Sequence, residues 1–238
     1  MLKETFKFKQ FTINQDRCAM KIGTDGVLLG AWTSVENEPN SILDIGAGTG
    51  VIAIMLAQRC HAESIEGIEI DEDAYEQCVE NFEASPWGDR LYCFHAGLDE
   101  LVDDTDEPYD LIVSNPPFYS EDVSSGDSAR DLARQNSSLP FNELLQAVSQ
   151  LLSPVGSFAV IIPHKEEASF LALAREQGLY PNRLTHVKGN TSAPIKRSLL
   201  QLSFEDNGTP KSELTIETAR HQYTTAYKNL VKAFYLKM

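Results

Sequence analysis

Two short stretches hold the residue types most able to do chemistry: AspIleGlyAlaGlyThrGly at 44–50 and AsnProProPhe at 115–118. Glycines at 46, 48 and 50 permit a tight turn and let a ligand approach the backbone closely. The spacing is DxGxGxG, whereas dinucleotide enzymes carry GxGxxG and place a pyrophosphate on a helix N-terminus. Asp44, directly before the glycines, is a poor neighbour for pyrophosphate and a suitable one for a cation. The ammonium and sulfonium groups of S-adenosylmethionine are such cations. The turn therefore reads as a site for that cofactor, with Gly46 and Gly48 lining it and Gly50 allowing close helix packing. Glu69 follows about 20 residues beyond the glycines, where a carboxylate accepts hydrogen bonds from ribose hydroxyls. Its isoleucine neighbours, Ile68 and Ile70, place it in a strand rather than with the acidic run Asp71, Glu72 and Asp73.

AsnProProPhe supplies the other half of a reaction. An exocyclic amino nitrogen such as that of adenine is a weak nucleophile, because its lone pair is delocalised into the ring. Two acceptors holding its N–H groups would turn that lone pair toward an incoming methyl carbon. The Asn115 side-chain oxygen and the Pro116 carbonyl are suitable acceptors. Pro116 and Pro117 fix φ and keep those carbonyls rigid, and Phe118 can stack on the base face. Transfer to nitrogen leaves a cationic amine that water can deprotonate, so the scheme names no general base.

These groups need elements to carry them. From residue 41 onward short apolar runs alternate with helical stretches, the pattern of βαβ units and a parallel sheet. Strands are predicted at 41–45, 65–70, 91–95 and 109–114, the last stopping at the double proline. Helices are predicted at 50–59 and 71–83. Further on come a helix at 141–152, a strand at 156–162, a helix at 165–177 and strands at 183–188, 198–204 and 213–217. An amphipathic helix begins near Tyr223. The apolar strands imply burial on both faces. The stretch 120–140 is irregular and rich in Ser, Asp and Arg, which is common for a functional loop.

The composition suits one globular domain spanning 1–238, with 42% hydrophobic and 23% charged residues. No apolar run reaches the roughly 20 residues of a spanning helix, and the N-terminus has no apolar signal region, so a cytoplasmic protein without membrane contact is expected. Cys18, Cys60, Cys78 and Cys93 are widely spaced and have no metal-ligand pattern, and His95, His164, His186 and His221 have no catalytic spacing. No metal is expected. The net charge of −15 argues against a polyanion partner until its distribution is considered. Residues 36–131 hold 24 Asp and Glu against Arg59, Arg90 and Arg130, while the rest of the chain holds 17 basic residues against 11 acidic ones. A polyanion would dock on those basic parts, the N-terminal segment (Lys3, Lys7, Lys9, Arg17, Lys21) and the second half (among them Lys188, Lys196, Arg197, Arg220, Lys228, Lys232).

The chain also resembles the tRNA1(Val) adenine-N6 methyltransferase family over nearly its whole length. The resemblance rests on AspIleGlyAlaGlyThrGly, SerAsnProProPhe and CysAlaMetLysIleGlyThrAspGlyValLeuLeuGlyAlaTrp at 18–32. PheLysPheLysGlnPhe at 6–11, SerProTrp at 85–87 and the terminal PheTyrLeuLysMet add to it. It implies a Rossmann-like class I fold, α/β, with a seven-stranded mostly parallel sheet, and an N-terminal segment, 1–35, that completes the site. It implies a tRNA substrate methylated at the adenine beside the anticodon, with S-adenosylmethionine as the only cofactor. It also implies that Gly23, Thr24 and Asp25 lie near the amino-acid end of the cofactor. After the third strand, where relatives often carry an acid near the cofactor adenine, this chain has Gly97 with Asp99 two residues on. Phe118 followed by Tyr119 replaces the tyrosine the family often has. An anticodon loop is a reasonable target, since RNA is read mainly in unpaired loops, and Arg130 and Arg134 are candidates for phosphate contact. A monomer without an obligate protein partner is expected.

The same acceptors would serve enzymes that methylate a glutamine amide in proteins. Against that reading, the N-terminal segment leaves no separate recognition domain. DNA adenine methylation lacks an added target-recognition region here. A non-catalytic scaffold fits poorly with an intact Asp44, Gly46, Glu69 and Asn115.

Overall fold

The computed structural model describes residues 4–105, 107–117 and 139–237. Phe118, Tyr119, Arg130 and Arg134 lie outside the described residues, so the stacking and phosphate roles expected of them are not addressed by it.

The chain opens with a small antiparallel pair, β1 (Thr5–Lys7) and β2 (Thr12–Asn14), followed by α1 (Thr24–Trp32). An alternating series follows: β3 (Ser41–Ile45), α2 (Val51–Ala57), β4 (Ser64–Glu69), α3 (Glu72–Glu83), β5 (Leu91–His95), α4 (Leu98–Asp104) and β6 (Tyr109–Ser114). The second part comprises α5 (Phe141–Leu151), β7 (Leu152–Pro163), α6 (Glu167–Glu176), β8 (Tyr180–Asn190), β9 (Ile195–Ser203), β10 (Lys211–Ala219), β11 (Gln222–Tyr223) and α7 (Thr225–Val231). The large sheet runs in the order β11-β10-β8-β9-β7-β6-β3-β4-β5. It is mostly parallel, with β9 antiparallel to both β7 and β8 and β11 antiparallel to β10. The seven strands from β5 to β8 are the expected sheet, and β10 and β11 extend it to nine along the outer edge of β8.

The continuous apolar strands are explained by helices on both faces. Ile42, Leu111, Val113, Ile161 and Leu199 join one core with α1, α2 and α7. Leu43, Ile45, Ile112, Val160 and Leu200 join the other with α5 and α6. A strand alternates its side chains between faces, so a sheet covered on both sides must be apolar at every position.

Helix α1, which the pattern reading left unassigned, is buried at seven of its nine residues. An apolar surface all round removes the periodic signal by which a helix is usually recognised. Its end is fixed by Trp32, whose Nε1–H donates to Thr185 Oγ1 at 2.9 Å while the Arg183 guanidinium lies 4.3 Å from its ring centroid. The segment before α1 packs on α3. Asn81 accepts from the Asn14 N–H at 2.8 Å and donates to the carbonyls of Asn14 and Thr49, each at 2.9 Å. Arg17 forms ion pairs with Glu76 and Glu80 at 2.6 and 2.7 Å. On the same side Phe11 meets Trp87 edge-on.

Candidate active site

The glycine turn leaves β3 and enters α2 through Gly46, Gly48 and Gly50, with φ of 73°, 55° and 75°. Such positive values are strained for residues with a Cβ. The three glycines differ in what surrounds them. A Cβ at Gly46 or Gly48 would meet nothing within 4 Å, whereas one at Gly50 would lie 2.5 Å from Phe82 and 2.9 Å from the Cys78 sulfur. Gly50 is thus required by helix packing, and the other two border open space.

The turn is held from below. The N–H groups of Gly46 and Ala47 both donate to the Ile68 carbonyl at 3.0 Å. Glu69 ends β4 and reaches back to it: Oε2 accepts from the Gly48 N–H at 2.9 Å, and Oε1 accepts from Ile70 and Asp71 at 2.9 and 3.0 Å. Three backbone donors fix this carboxylate without exhausting its roughly four acceptor sites, and the vacant capacity is on Oε2. The Asp71 side chain caps α3 by accepting from Ala74 at 2.9 Å, so it is tied into the helix start and separated in role from Glu69.

Asp44 is fully buried. Its Oδ2 accepts from the Ala53 N–H at 3.2 Å, while Oδ1 is buried without a partner among the described residues. Burial pushes its carboxyl up to about 7; the Ala53 N–H opposes the rise and the charge of Glu69 adds to it. A buried acceptor without a donor is destabilising by a few kcal/mol. A cationic ligand at the turn would relieve it, so the donor set fits the sulfonium cofactor inferred from sequence. Cys18, from the N-terminal segment, is also pushed up, to about 12, first by burial and then by Glu69 and Asp71, and is therefore an inert thiol.

Strand β6 delivers Asn115 and the prolines beside this turn. Ser114 pairs with Ile45 in parallel register, and its buried hydroxyl donates to the Ile45 carbonyl at 3.0 Å. The ends of the two motif-bearing strands are thereby joined by one hydrogen bond. Asn115 and Pro117 are half-buried and Pro116 is buried. Helix α1 approaches from the other side: a Cβ at Gly26 would sit 4.0 Å from Asn115 Nδ2. Asp44, Gly46, Gly48, Glu69 and Asn115 are therefore gathered at one edge of the sheet, where ligands of open α/β folds bind.

The remaining candidates lie around that edge. Thr24 is exposed as the first residue of α1. Asp25, next to it, accepts from Arg197 Nε at 2.8 Å through Oδ2. Asp99 is exposed in the first turn of α4, where the Glu100 carboxylate accepts from the Gly97 N–H at 2.8 Å. Three features escaped the sequence reading: the Ser114 clamp, the Asp25–Arg197 pair across 172 positions, and a grouping of His164, Glu167 and His186. The first had a faint signal, a serine closing an apolar strand. The other two depend on strand pairing.

The comparisons with known proteins agree with this fold. Residues 26–175 match the family model described as methyltransferase small domain. A structure from Agrobacterium tumefaciens, described as a predicted O-methyltransferase, superposes with a TM-score of 0.68 over 88% of this chain and 96% of its own, at 18% identity. The ribosomal protein L11 methylase of Lactobacillus delbrueckii subsp. bulgaricus gives 0.53 over 75% and 76%, at 17% identity. At such identities the likeness concerns the fold, and the fold and site together define a methyltransferase of the Rossmann-like class I type.

Full-length relatives narrow the class. Proteins named tRNA1(Val) (adenine(37)-N6)-methyltransferase are 61% identical in Flavobacterium johnsoniae, over 98% of this chain and all of the relative, and 57% identical in Christiangramia forsetii, over all of both. One from Bacteroides fragilis is 48% identical, again over all of both chains. The chain belongs to the tRNA1(Val) (adenine(37)-N6)-methyltransferase family.

Proposed function

We propose that this protein transfers the methyl group of S-adenosylmethionine to the exocyclic N6 of adenine 37 in tRNA1(Val), the target being the one in its relatives' names. The observation that carries the reading is the Ser114–Ile45 hydrogen bond, which sets the Asn115 turn against the Asp44 glycine turn. Bound S-adenosylmethionine supplies an electrophilic methyl on a sulfonium. The protein's own groups do the rest. Asp44 offers its unpartnered oxygen to the cationic end of the cofactor, with Thr24 and Asp25 nearby. Gly46 and Gly48 admit its backbone approach, Glu69 accepts from its ribose and Asp99 borders its adenine. Asn115 and the Pro116 carbonyl hold the target amino group and Pro117 keeps that turn rigid, so that the nitrogen faces the methyl carbon, while Phe118 is assigned to stacking on the base. The whole chain acts as one domain, and residues 1–35 complete the site.

The charge distribution supports an RNA approach from outside the acidic stretch. Arg90 donates to the carbonyls of Ala57, Cys60 and Ala62, and Arg59 to that of Gly30. Both are engaged in holding backbone, which leaves phosphate contact to the basic residues of the N-terminal segment and of the second half of the chain. In this reading the enzyme works in the cytoplasm as a monomer, with tRNA as its macromolecular partner and no metal needed for transfer.

The test is incorporation of radiolabelled methyl into total tRNA from cells lacking the enzyme, followed by nucleoside digestion. The expected product is N6-methyladenosine. Asn115→Ala should slow transfer about a hundredfold or more through lost positioning while leaving cofactor affinity near wild type. Glu69→Ala should instead weaken cofactor binding about tenfold to a hundredfold, the worth of a charge-assisted hydrogen bond. Label in protein and none in tRNA would overturn the reading in favour of amide methylation.

A further inference from the structure

Where β7 ends, one grouping of side chains is not used by methyl transfer. His164 follows β7 directly, Glu167 opens α6, and His186 projects from β8. Glu167 Oε2 lies 3.2 Å from His164 Nδ1 and 2.8 Å from His186 Nε2, and the Ser198 hydroxyl of β9 donates to the same oxygen. His164 Nδ1 is also 3.0 Å from Ser198 Oγ. Among the described residues this is the grouping whose donor atoms converge, all within 4.8 Å of one another.

We infer that His164, Glu167 and His186 form a binding site for a divalent transition-metal ion of the zinc type. Bonds of about 2.0–2.1 Å place the donor atoms of a tetrahedral shell about 3.3 Å apart, and two of the three separations here are 2.8 and 3.2 Å. Two imidazoles and a carboxylate select zinc, cobalt or nickel over magnesium or calcium, which prefer oxygen. The set is two histidines and a glutamate with a fourth position left for Ser198 or water. The side chains are 36%, 15% and 21% exposed in chain order, so an ion can enter from solvent.

The competing account is a purely hydrogen-bonded staple, with Glu167 as shared acceptor. It asks one carboxylate oxygen to serve three neighbouring polar atoms, whereas an ion at their common centre would serve them all. The position gives the site a consequence. It links the turn after β7 to β8 and, through Ser198, to β9. Arg197, the residue before Ser198, extends to the other face of the sheet and holds Asp25, beside the Gly26 that faces Asn115. An ion here would pin the strands that support the substrate side of the catalytic turn.

The experiment uses the full-length, tag-free protein, stripped with a chelator and titrated with Zn²⁺ in competition with a chromogenic chelator, then with Co²⁺ alone. One equivalent should bind, and the Co²⁺ complex should show visible d–d absorption without the near-ultraviolet charge-transfer band of a thiolate. His186→Ala and Glu167→Gln should each weaken Zn²⁺ binding at least about a hundredfold, more than the loss of an outer-shell partner, and His221→Ala should not change it. The wild-type spectrum stands even if a variant folds poorly. No stoichiometric uptake, a thiolate band, or unchanged affinity in folded variants would each refute the site.

Discussion

From β3 to β6 every pairing in the sheet is parallel, and Asp44, Glu69 and Asn115 sit at or just beyond the ends of their strands. Beyond β7 the chain turns back, with β9 antiparallel to both β7 and β8, and Arg197 and Ser198 reach the same edge of the sheet from the beginning of β9. In the first region, chain direction alone gathers the polar groups at the carboxyl edge, so the order of motifs is nearly a description of the site. In the second, groups meet only because strands of opposite direction are paired. The first region should therefore respond to changes in the backbone turn, and the second to changes in individual side chains.

Among substitutions, the largest expected loss of stability is at Gly50. An alanine there combines a left-handed φ, about 1 kcal/mol or more, with a methyl pressed against Phe82 and Cys78, so a loss of about 3 kcal/mol is expected. By thermal denaturation this should lower Tm by about 6–12 °C in a chain of this size. Gly46→Ala, facing open space, should cost only the strain and lose cofactor affinity instead. Equal destabilisation at the two glycines would break the distinction between packing and ligand glycines.

A change of pH, rather than a substitution, separates the buried Asp44 from the exposed groups around it. Its carboxyl titrates near 7 in the folded protein, well above its ordinary 3.8. The unfolded chain releases that proton first, so the ligand-free protein loses stability as pH climbs from about 4 to 7. A cationic cofactor favours the ionised form, so its affinity should rise with pH by up to about tenfold per unit below pH 7 and level off above. Calorimetric titration across that range would show the slope, and Asp44→Asn should flatten it. The smallest effect belongs to the antiparallel flank. Arg197→Gln removes an ion pair whose side chains are about a third and a quarter exposed, and such a pair contributes about 0–1 kcal/mol. A loss several times larger in chemical denaturation would show the flank to be more tightly coupled to α1 than a surface pair allows.

This contrast also explains what could be read without coordinates. The strands from β3 to β6 and the turn at 44–50 follow from apolar runs and glycine spacing, because local backbone requirements write themselves into local sequence. The packing role of Gly50 was legible as well. Helix α1 was not, because seven buried positions of nine carry no amphipathic signal. Nor was the β1–β2 pair, whose three-residue strands are too short for alternation to register. His164 and His186 are 22 positions apart and gave no metal-ligand spacing; pairing of β7, β9 and β8 brings them together.

The placement of the two tryptophans has an optical consequence. Trp32 lies beneath Arg183 at the junction of α1 with β8, and Trp87 touches Phe11 where the N-terminal segment crosses the body. Each indole thus views a different seam between the first 35 residues and the rest. Replacing either one by phenylalanine would leave a single tryptophan, and its fluorescence, excited where tyrosine does not absorb, would report the opening of its own seam; comparing the two variants on heating would show, without any added dye, which seam opens first.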